Sequence, residues 1–274
     1  MPPSRRAFLG VAVAGLAARP LNAAGFTARV LARSPVRQVG ARDARPRLKA
    51  VAFDAFPVFS PAPVVSRAEA LFPGRGAALA EEWRLRQFEY AWLRVLSQRY
   101  ADFWQVTQDA LLFAARKQRL ELDPEKRDSL MGALLELAPW PDVVPALDSL
   151  AKSGLQLAFL SNFTLRMLES NLERSGLGGR FDHVLSTDRA RTYKPDPRAY
   201  DLGTEALGLR REEILFVANA GWDAAGAKAF GYPTFWVNRT DLPPEELGAM
   251  ADGVGRDLSD LVAFVERRAE VEAR

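Results

Sequence analysis

Two carboxylates, one lysine, one hydroxyl and two amides follow predicted strands in this sequence of 274 residues. They belong to Asp54, Ser161, Asn162, Lys194, Asn219 and Asp223. A lysine ammonium beside a carboxylate lowers the pKa of that carboxyl group and keeps it ionised. An ionised carboxylate can act as a nucleophile and form a covalent intermediate. The set therefore indicates nucleophilic catalysis if the fold brings it together; the alternative is that each residue only caps a helix or shapes a loop.

The segments that carry these residues alternate between strand and helix patterns. Strands are predicted at 48–54, 155–161, 181–186, 213–218 and 233–238, and helices near 164–175, 197–208 and 223–230. Short apolar strands that alternate with amphipathic helices are typical of a parallel sheet with helices on both faces. Ligands bind beyond the carboxyl ends of the strands in such sheets. We therefore expect an α/β, Rossmann-like core with the polar side chains at one edge.

A long helical region, at about 64–137, separates the first two predicted strands. Within it, residues 75–99 carry apolar side chains at steps of four and five, which fit a partly buried helix. The sequence Pro-Trp-Pro at 139–141 ends this pattern. We predict a core of 48–62 and 138–274 with an inserted helical cap at 63–137.

The first 47 residues differ in charge from the rest of the chain. They carry nine arginines and one aspartate, although the whole chain has a net charge of only +3. The remainder is therefore mildly acidic, and nothing indicates a nucleic-acid-binding surface. The chain has no cysteine, which excludes disulfides, thiolate metal sites and thiol nucleophiles.

The N-terminus has the pattern of a targeting segment. Arg5 and Arg6 precede Phe-Leu and an apolar run at 7–18, which is too short for a helix that spans a bilayer. The arginine pair resembles the twin-arginine export signal, which carries folded proteins. We expect a signal peptide at 1–24, a basic disordered linker at 25–47, a periplasmic location and no stable membrane span. The alternative is a chance arginine pair before a membrane anchor.

Five stretches resemble a known family. They are FDAF at 53–56, LSN at 160–162, YKPDPRAY at 193–200, WDAAGAKAFGYPTFWVNR at 222–239, and the cap sequence at 72–104. Together they resemble the haloacid dehalogenase superfamily and, within it, the L-2-haloacid dehalogenase (type II) branch. The resemblance implies that Asp54 attacks C2 of a 2-haloalkanoate, displaces halide with inversion, and forms an ester that water hydrolyses to a 2-hydroxy acid.

The resemblance also implies roles for the side chains around the nucleophile. Arg84 matches the arginine that accepts halide, Lys194 the lysine that holds the nucleophile, and Asp223 the acid near the attacking water. Ser161 and Asn162 match residues that bind the substrate carboxylate and the halide. Four further residues are assigned to substrate binding, because they match a site tyrosine and the apolar walls around the substrate: Tyr200, Phe88, Phe103 and Trp222. The expected partners are a small 2-haloacid and water, with no cofactor and no metal, and family relatives suggest a homodimer.

The sequence departs from the family pattern in two motifs. Residues 56–58 are Phe-Pro-Val where the family has Tyr-Gly-Thr, so the threonine hydroxyl that would bind the nucleophile is absent. Pro57 is also expected to bias Phe56 toward extended geometry. Ala218 and Ala220 replace a serine and an asparagine that help to position water, and Asn219, a candidate substrate-binding residue, can compensate through a small rotation of the loop. We expect incomplete support of the nucleophile and slow ester hydrolysis.

Two other functions stay open at this point. A phosphatase of the same superfamily needs magnesium and a second aspartate two residues after the nucleophile, where this chain has Phe56. This difference favours cleavage of a carbon–halogen bond over another hydrolase reaction. The second alternative is an exported, non-catalytic binding protein of the same fold. The single histidine, His183, lies in a predicted strand and is assigned a structural role.

Overall fold

The computed structural model describes residues 46–272. The predicted signal peptide and nearly all of the predicted linker therefore lie outside the described residues. The described residues belong to one compact unit. No helix in the described part of the chain is both long enough and apolar enough to cross a bilayer.

Six parallel strands form one sheet in the order β3-β2-β1-β4-β5-β6. Their bounds are β1 Ala50–Phe53, β2 Gln156–Ser161, β3 His183–Ser186, β4 Ile214–Ala218, β5 Thr234–Val237 and β6 Gly253–Gly255. Strand β1 lies between β2 and β4, with Ala50 opposite both Gln156 and Ile214. The first five strands confirm the sequence prediction, and Asp54 follows a central strand.

Ten helices accompany the sheet in the described residues. Their bounds are α1 Ala55–Val58, α2 Ala62–Leu71, α3 Gly76–Leu96, α4 Phe103–Lys117, α5 Pro124–Ala133, α6 Val143–Lys152, α7 Leu165–Arg174, α8 Pro197–Leu207, α9 Gly221–Phe230 and α10 Leu258–Glu272. Helices α2–α5 lie between β1 and β2, where the sequence predicts the cap. The exact bounds of the cap stay a prediction.

Apolar side chains pack on both faces of the sheet. Successive residues of a strand point to opposite faces, and in β1 Val51 and Phe53 belong to one buried cluster while Ala50 and Ala52 belong to another. Each cluster is completed by helices, so both faces are covered. This arrangement confirms the predicted α/β class.

Phe56 lies in α1, so the expected extended geometry is wrong. Asp54 is the N-cap of α1, and its side chain accepts a hydrogen bond from the Phe56 N–H. Pro57 stands in the first turn, where an amide N–H would have no partner within the helix. The capping bond therefore outweighs the bias that a following proline imposes.

Candidate active site

A small cavity lies where the carboxyl ends of β1, β2 and β4 face α3 and α4. It contains about 340 Å³ of space between its lining atoms. Nine of the eleven predicted site residues line it: Asp54, Arg84, Phe88, Phe103, Ser161, Asn162, Asn219, Trp222 and Asp223. The topology thus brings together residues that are up to 169 positions apart in the chain.

Lys194 links the two carboxylates of the site. Its ammonium lies 2.8 Å from Asp54 Oδ1 and 2.6 Å from Asp223 Oδ2, and its side chain is 1% exposed. The hydroxyl of Ser161 also donates to Asp54 Oδ1, and the Phe56 N–H donates to Oδ2, both at 3.2 Å. Asp54 is therefore held by three donors although the threonine hydroxyl is absent. The expectation of incomplete support for Asp54 is wrong in the ground state.

The pKa values of these groups follow from burial and from Lys194. Burial raises the pKa of the Asp54 carboxyl, but the charge and hydrogen bond of Lys194 outweigh it and hold the pKa below its usual value. Burial lowers the pKa of Lys194, but Asp223 and Asp54 outweigh it and raise that pKa. Burial raises the pKa of Asp223 to about 6 despite the attraction of Lys194, and the charge of Asp54 contributes to the rise. At neutral pH the site therefore holds an ionised Asp54 and a charged lysine.

Tyr200 does not line the cavity, which corrects its assignment as a substrate-binding residue. It is fully buried on α8, and its hydroxyl lies 2.7 Å from Asp223 Oδ1, to which it donates. Burial and the charge of Asp223 raise the pKa of Tyr200 well above its usual value, so the hydroxyl stays protonated. Tyr200 thus orients Asp223 from behind. Lys194 likewise acts through the carboxylates rather than as part of the cavity wall.

Asn162 and Arg84 can bind an anion in the cavity. The Oδ1 of Asn162 accepts hydrogen bonds from Thr187 Oγ1 and from the Lys194 N–H, at 3.1 and 2.9 Å. This network assigns Oδ1 to the core side and leaves the Nδ2 donors for the cavity. Among residues 46–272, no carboxylate lies within salt-bridge distance of Arg84, whereas Arg86 on the same helix pairs with two glutamates. Arg84 therefore has its charge available to a ligand.

Aromatic side chains form the apolar part of the wall. The ring centroids of Phe88 and Trp222 are 5.2 Å apart, and those of Phe103 and Phe163 are 5.8 Å apart. Phe56 packs edge-on against Phe163 at 5.3 Å. The guanidinium of Arg84 lies 5.3 Å from the Phe56 ring centroid. The sequence predictions did not include Phe163, although it directly follows two predicted site residues.

Residues far apart in the chain hold the one-turn helix α1. Trp140 Nε1 donates to the Phe56 carbonyl at 3.1 Å, and the Arg239 guanidinium donates to the Pro57 carbonyl at 3.0 Å. Arg239 also lies 4.5 Å from the ring centroid of Trp140. A single turn has few hydrogen bonds of its own, so these donors stabilise the backbone behind Asp54. No local sequence signal indicates them, because the partners are 84 and 182 positions apart.

The junction of β4 and α9 supplies few polar groups to the cavity. Ala218 is buried within an apolar cluster, whereas Ala220 and Asn219 line the cavity. The Asn219 carbonyl accepts a bond from Trp236 Nε1 at 3.0 Å, and within residues 46–272 no group bonds to its side-chain amide. Across the same residues, no group of three or more potential metal ligands is found. The predicted independence from a metal stays a prediction.

Known proteins are similar to this chain in sequence and in fold. A family model described as a haloacid dehalogenase-like hydrolase matches residues 19–231. An (S)-2-haloacid dehalogenase from Pseudomonas sp. (strain YL) is 44% identical over 223 residues, which cover 81% of this chain and 96% of that protein. The crystal structure of the L-2-haloacid dehalogenase RSc1362 has a TM-score of 0.80 at 42% identity, covering 81% of this chain and 100% of that chain.

One similar structure contains a covalent adduct. It is the L-2-haloacid dehalogenase from Xanthobacter autotrophicus with chloropropionic acid covalently bound, with a TM-score of 0.75 and 36% identity over 80% of this chain and 98% of that chain. The matches to family and relatives extend over most of the described residues. The chain therefore belongs to the haloacid dehalogenase-like hydrolases, in the branch of the (S)-2-haloacid dehalogenases.

Proposed function

We propose that this protein hydrolyses short 2-haloalkanoic acids to 2-hydroxy acids through an ester on Asp54. The observation that carries the proposal is the Lys194 ammonium between the two carboxylates of the cavity. It holds Asp54 ionised for attack while burial keeps the pKa of Asp223 high enough for proton transfer. The covalent adduct in the related Xanthobacter enzyme supports the same chemistry for this chain.

The first step forms the ester. Asp54 Oδ2 accepts one hydrogen bond, whereas Oδ1 accepts two, so Oδ2 is the less restrained oxygen. In the proposed step Oδ2 bonds to C2 of the substrate as the carbon–halogen bond breaks, and the halide leaves with the electron pair. Arg84 and the Nδ2 donors of Asn162 line the same cavity and can bind the halide. A halide needs no proton to leave.

The second step hydrolyses the ester. Asp223 accepts a proton from a water molecule, and the water oxygen attacks the carboxyl carbon of Asp54. The bond between that carbon and Oδ2 then breaks, and the proton held by Asp223 passes to the departing Oδ2, which becomes the hydroxyl of the 2-hydroxy acid. The second proton of the water is lost from the Asp54 carboxyl to solvent, which restores the Asp54 carboxylate. Lys194 holds both carboxylates through this step, and Tyr200 holds Asp223 from the opposite side.

The shape of the cavity favours short substrates. The cavity is small, with about 340 Å³ of space between its lining atoms, and this figure includes space that is open to solvent. Rings of Phe56, Phe88, Phe103 and Trp222 line it, so an alkyl group beside the reacting carbon would meet aromatic walls. The proposal therefore concerns 2-haloacids with few carbon atoms.

Halide release from 2-chloropropionate tests the proposed function. Wild-type protein should release halide, and Asp54→Asn should release almost none, because its amide is a poor nucleophile. Mass spectrometry of quenched wild-type protein should find the added acid on the peptide that contains Asp54. Wild-type protein that releases no halide from any short 2-haloacid contradicts the proposal and favours the non-catalytic alternative.

A homodimer is part of the same proposal. Leu85, Leu93 and Leu96 of α3 are 54%, 58% and 79% exposed, which gives this helix an apolar outer surface. A second copy of the chain can cover such a surface. Sedimentation of the wild-type protein should give a dimer, and Leu96→Glu should shift it toward monomer. A wild-type monomer at all accessible concentrations contradicts this part of the proposal.

A further inference from the structure

Trp92 joins helix α3 to the backbone of the site lysine. It lies on α3, and its indole Nε1 donates to the carbonyl oxygen of Lys194 at 3.0 Å. The two residues are 102 positions apart in the chain. The bond therefore connects a helix inserted between β1 and β2 with the loop that follows β3.

The Lys194 backbone is held from two sides. Its N–H donates to Asn162 Oδ1 at 2.9 Å, and its carbonyl accepts from Trp92. Its ammonium contacts Asp54 and Asp223. Asn162 belongs to the core, so the bond from Trp92 restrains the Lys194 backbone from the side of the inserted helices. The neighbouring Tyr193 hydroxyl donates to the Ala101 carbonyl of the same inserted segment, so the loop is held there at two successive residues.

Trp92 lies behind the cavity wall rather than in it. Its ring packs edge-on against Trp222 with centroids 5.3 Å apart and is stacked on Phe88 with centroids 5.9 Å apart. Both of these partners line the cavity, whereas Trp92 does not. The indole is thus placed to act through other residues.

The spacing along α3 relates Trp92 to the anion-binding arginine. Arg84, Phe88 and Trp92 are four positions apart, so they lie on one face of the helix. Arg84 and Phe88 line the cavity, and Trp92 binds the lysine loop two turns later. Helix α3 thereby fixes the position of Arg84 relative to Lys194.

We propose that Trp92 is a positioning residue, which fixes Lys194 through its carbonyl and so aligns Asp54 and Asp223 with the halide-binding end of α3. The proposal rests on the proposed function of the site. Loss of the indole N–H frees the Lys194 peptide group on the side of α3. The ammonium then holds Asp54 less firmly, and ester formation slows.

Trp92→Phe in the full chain tests the proposal, because it removes the N–H and keeps an aromatic ring. Trp83→Phe is the matched control. Trp83 is also on α3, and its Nε1 donates to a backbone carbonyl, that of Thr107, at 2.8 Å, but this bond stays within the inserted helices. The initial burst of halide should slow about fivefold in Trp92→Phe. This is the change in rate expected when the net stabilisation from one hydrogen bond is lost from the transition state. Trp83→Phe should lower the Tm and leave the burst within about twofold of wild type.

The dependence of the burst rate on pH gives a second measurement, and a general loss of folding stability does not change the pH at which this rate falls. The charged groups that act on Asp54 are Lys194, Asp223 and Arg84. A looser Lys194 lowers the Asp54 pKa less, so the acid limb of the burst rate should move to higher pH in Trp92→Phe. In Trp83→Phe the burst rate should fall at the same acidic pH as in wild type. An unchanged burst rate and limb in Trp92→Phe, or equal losses in both variants, overturn the proposal.

Hydrogen exchange separates this proposal from the proposed function. The peptide that contains the Lys194 amide should exchange faster in Trp92→Phe than in wild type or Trp83→Phe, whether or not halide is released. If the wild-type protein releases no halide but the variants show this exchange pattern, the proposed reaction is contradicted and the positioning contact is supported. Equal exchange in all three proteins overturns the positioning role.

Discussion

Asp54 and Asp223 bind the same ammonium, yet their pKa values shift in opposite directions. Asp54 also accepts hydrogen bonds from Ser161 and from the first turn of α1, which favour its ionised form. Asp223 is more deeply buried, and the neighbouring charge of Asp54 opposes its ionisation. A nucleophile that stays ionised and a base that titrates near neutral pH suit two different steps.

We expect the two steps to depend differently on pH. Asp54 stays ionised at mildly acidic pH because its pKa is lowered, so the initial burst of halide should hardly change between about pH 5 and 8. Asp223 must be ionised to accept a proton from water, and its pKa is about 6, so the steady rate should fall as the pH drops through that value. Rapid-quench halide assays measure both phases. A parallel fall of burst and steady rate below pH 6 contradicts this assignment.

Arg84→Lys should slow halide release although it keeps the positive charge. Lysine has a compact charge on a flexible stem and lacks the planar fork of donors. We expect a loss of about 100- to 1,000-fold in the burst rate, comparable with the removal of one oriented donor. Arg86→Lys is the control, because Arg86 pairs with Glu82 and Glu89, packs on Phe113 of α4 and does not line the cavity. Equal rates for both variants would mean that Arg84 is only a surface charge.

The position of a single site residue was predictable where the sequence pattern places it at the end of a strand or at the start of a helix. Asp54, Ser161 and Asp223 follow apolar strands or open the next helix, and parallel pairing brings such positions to one edge. The orientation of the Asn162 amide was not predictable, because it depends on Thr187 and on a backbone N–H 32 positions away. The sequence indicates a substrate-binding tyrosine at Tyr200, but only the packing of α8 shows that its hydroxyl donates to Asp223.

At the scale of elements, the junction of β4 and α9 is the part of the site that supplies the fewest polar contacts. Ala220 is the N-cap of α9 and makes no side-chain cap, although it also lines the cavity. Asparagine at an N-cap accepts a hydrogen bond from the helix backbone and stabilises it by about 1 kcal/mol. The missing polar group therefore affects both the start of the helix and the surroundings of the water in the second step.

We expect ester hydrolysis to be slower than ester formation. Attack by Asp54 draws on its fixed position, which can contribute roughly 7–11 kcal/mol and does not need the β4–α9 junction. Halide should therefore appear in a burst close to one equivalent, followed by a slow steady phase, with an ester on the Asp54 peptide. Ala220→Asn should raise the steady rate, leave the burst nearly unchanged and raise the Tm.

Asn219→Ala checks the alternative that Asn219 already positions the water. Asn219 lines the same cavity. If it positions the water, the variant should slow the steady phase further while the burst remains. Linear halide release in wild type, with no adduct by mass spectrometry, contradicts slow hydrolysis.

Elements with an apolar pattern were predictable, and those with short or glycine-rich sequences were not. The sequence indicates β1–β5, but β6 has the sequence Gly-Val-Gly and reads as a loop. A Cβ at Gly253 would lie 2.7 Å from Phe264 and 2.8 Å from Phe235, so close packing of α10 and β5 requires the glycine. The short helix α1 was missed for a different reason, because a proline hides the helical turn that Asp54 caps.

At the scale of the whole molecule, the catalytic unit and the N-terminal segment are distinct in sequence. Positive charge is concentrated before residue 48, whereas the remainder is mildly acidic. These features support our proposal that the first 24 residues direct export and that the enzyme acts in the periplasm.

Replacement of Arg5 and Arg6 together by lysine should keep the protein inside the cell. The substitutions conserve charge, so a loss of export would show that the guanidinium groups themselves are recognised, as the twin-arginine pattern predicts. Arg19→Lys is the matched control, because Arg19 lies in the same segment outside the pair. Cell fractionation measures the share of protein in the periplasm, which should fall strongly in the double variant and stay at the wild-type level in the control. Normal export of the double variant contradicts twin-arginine recognition, since a general export signal needs only positive charge before its apolar run.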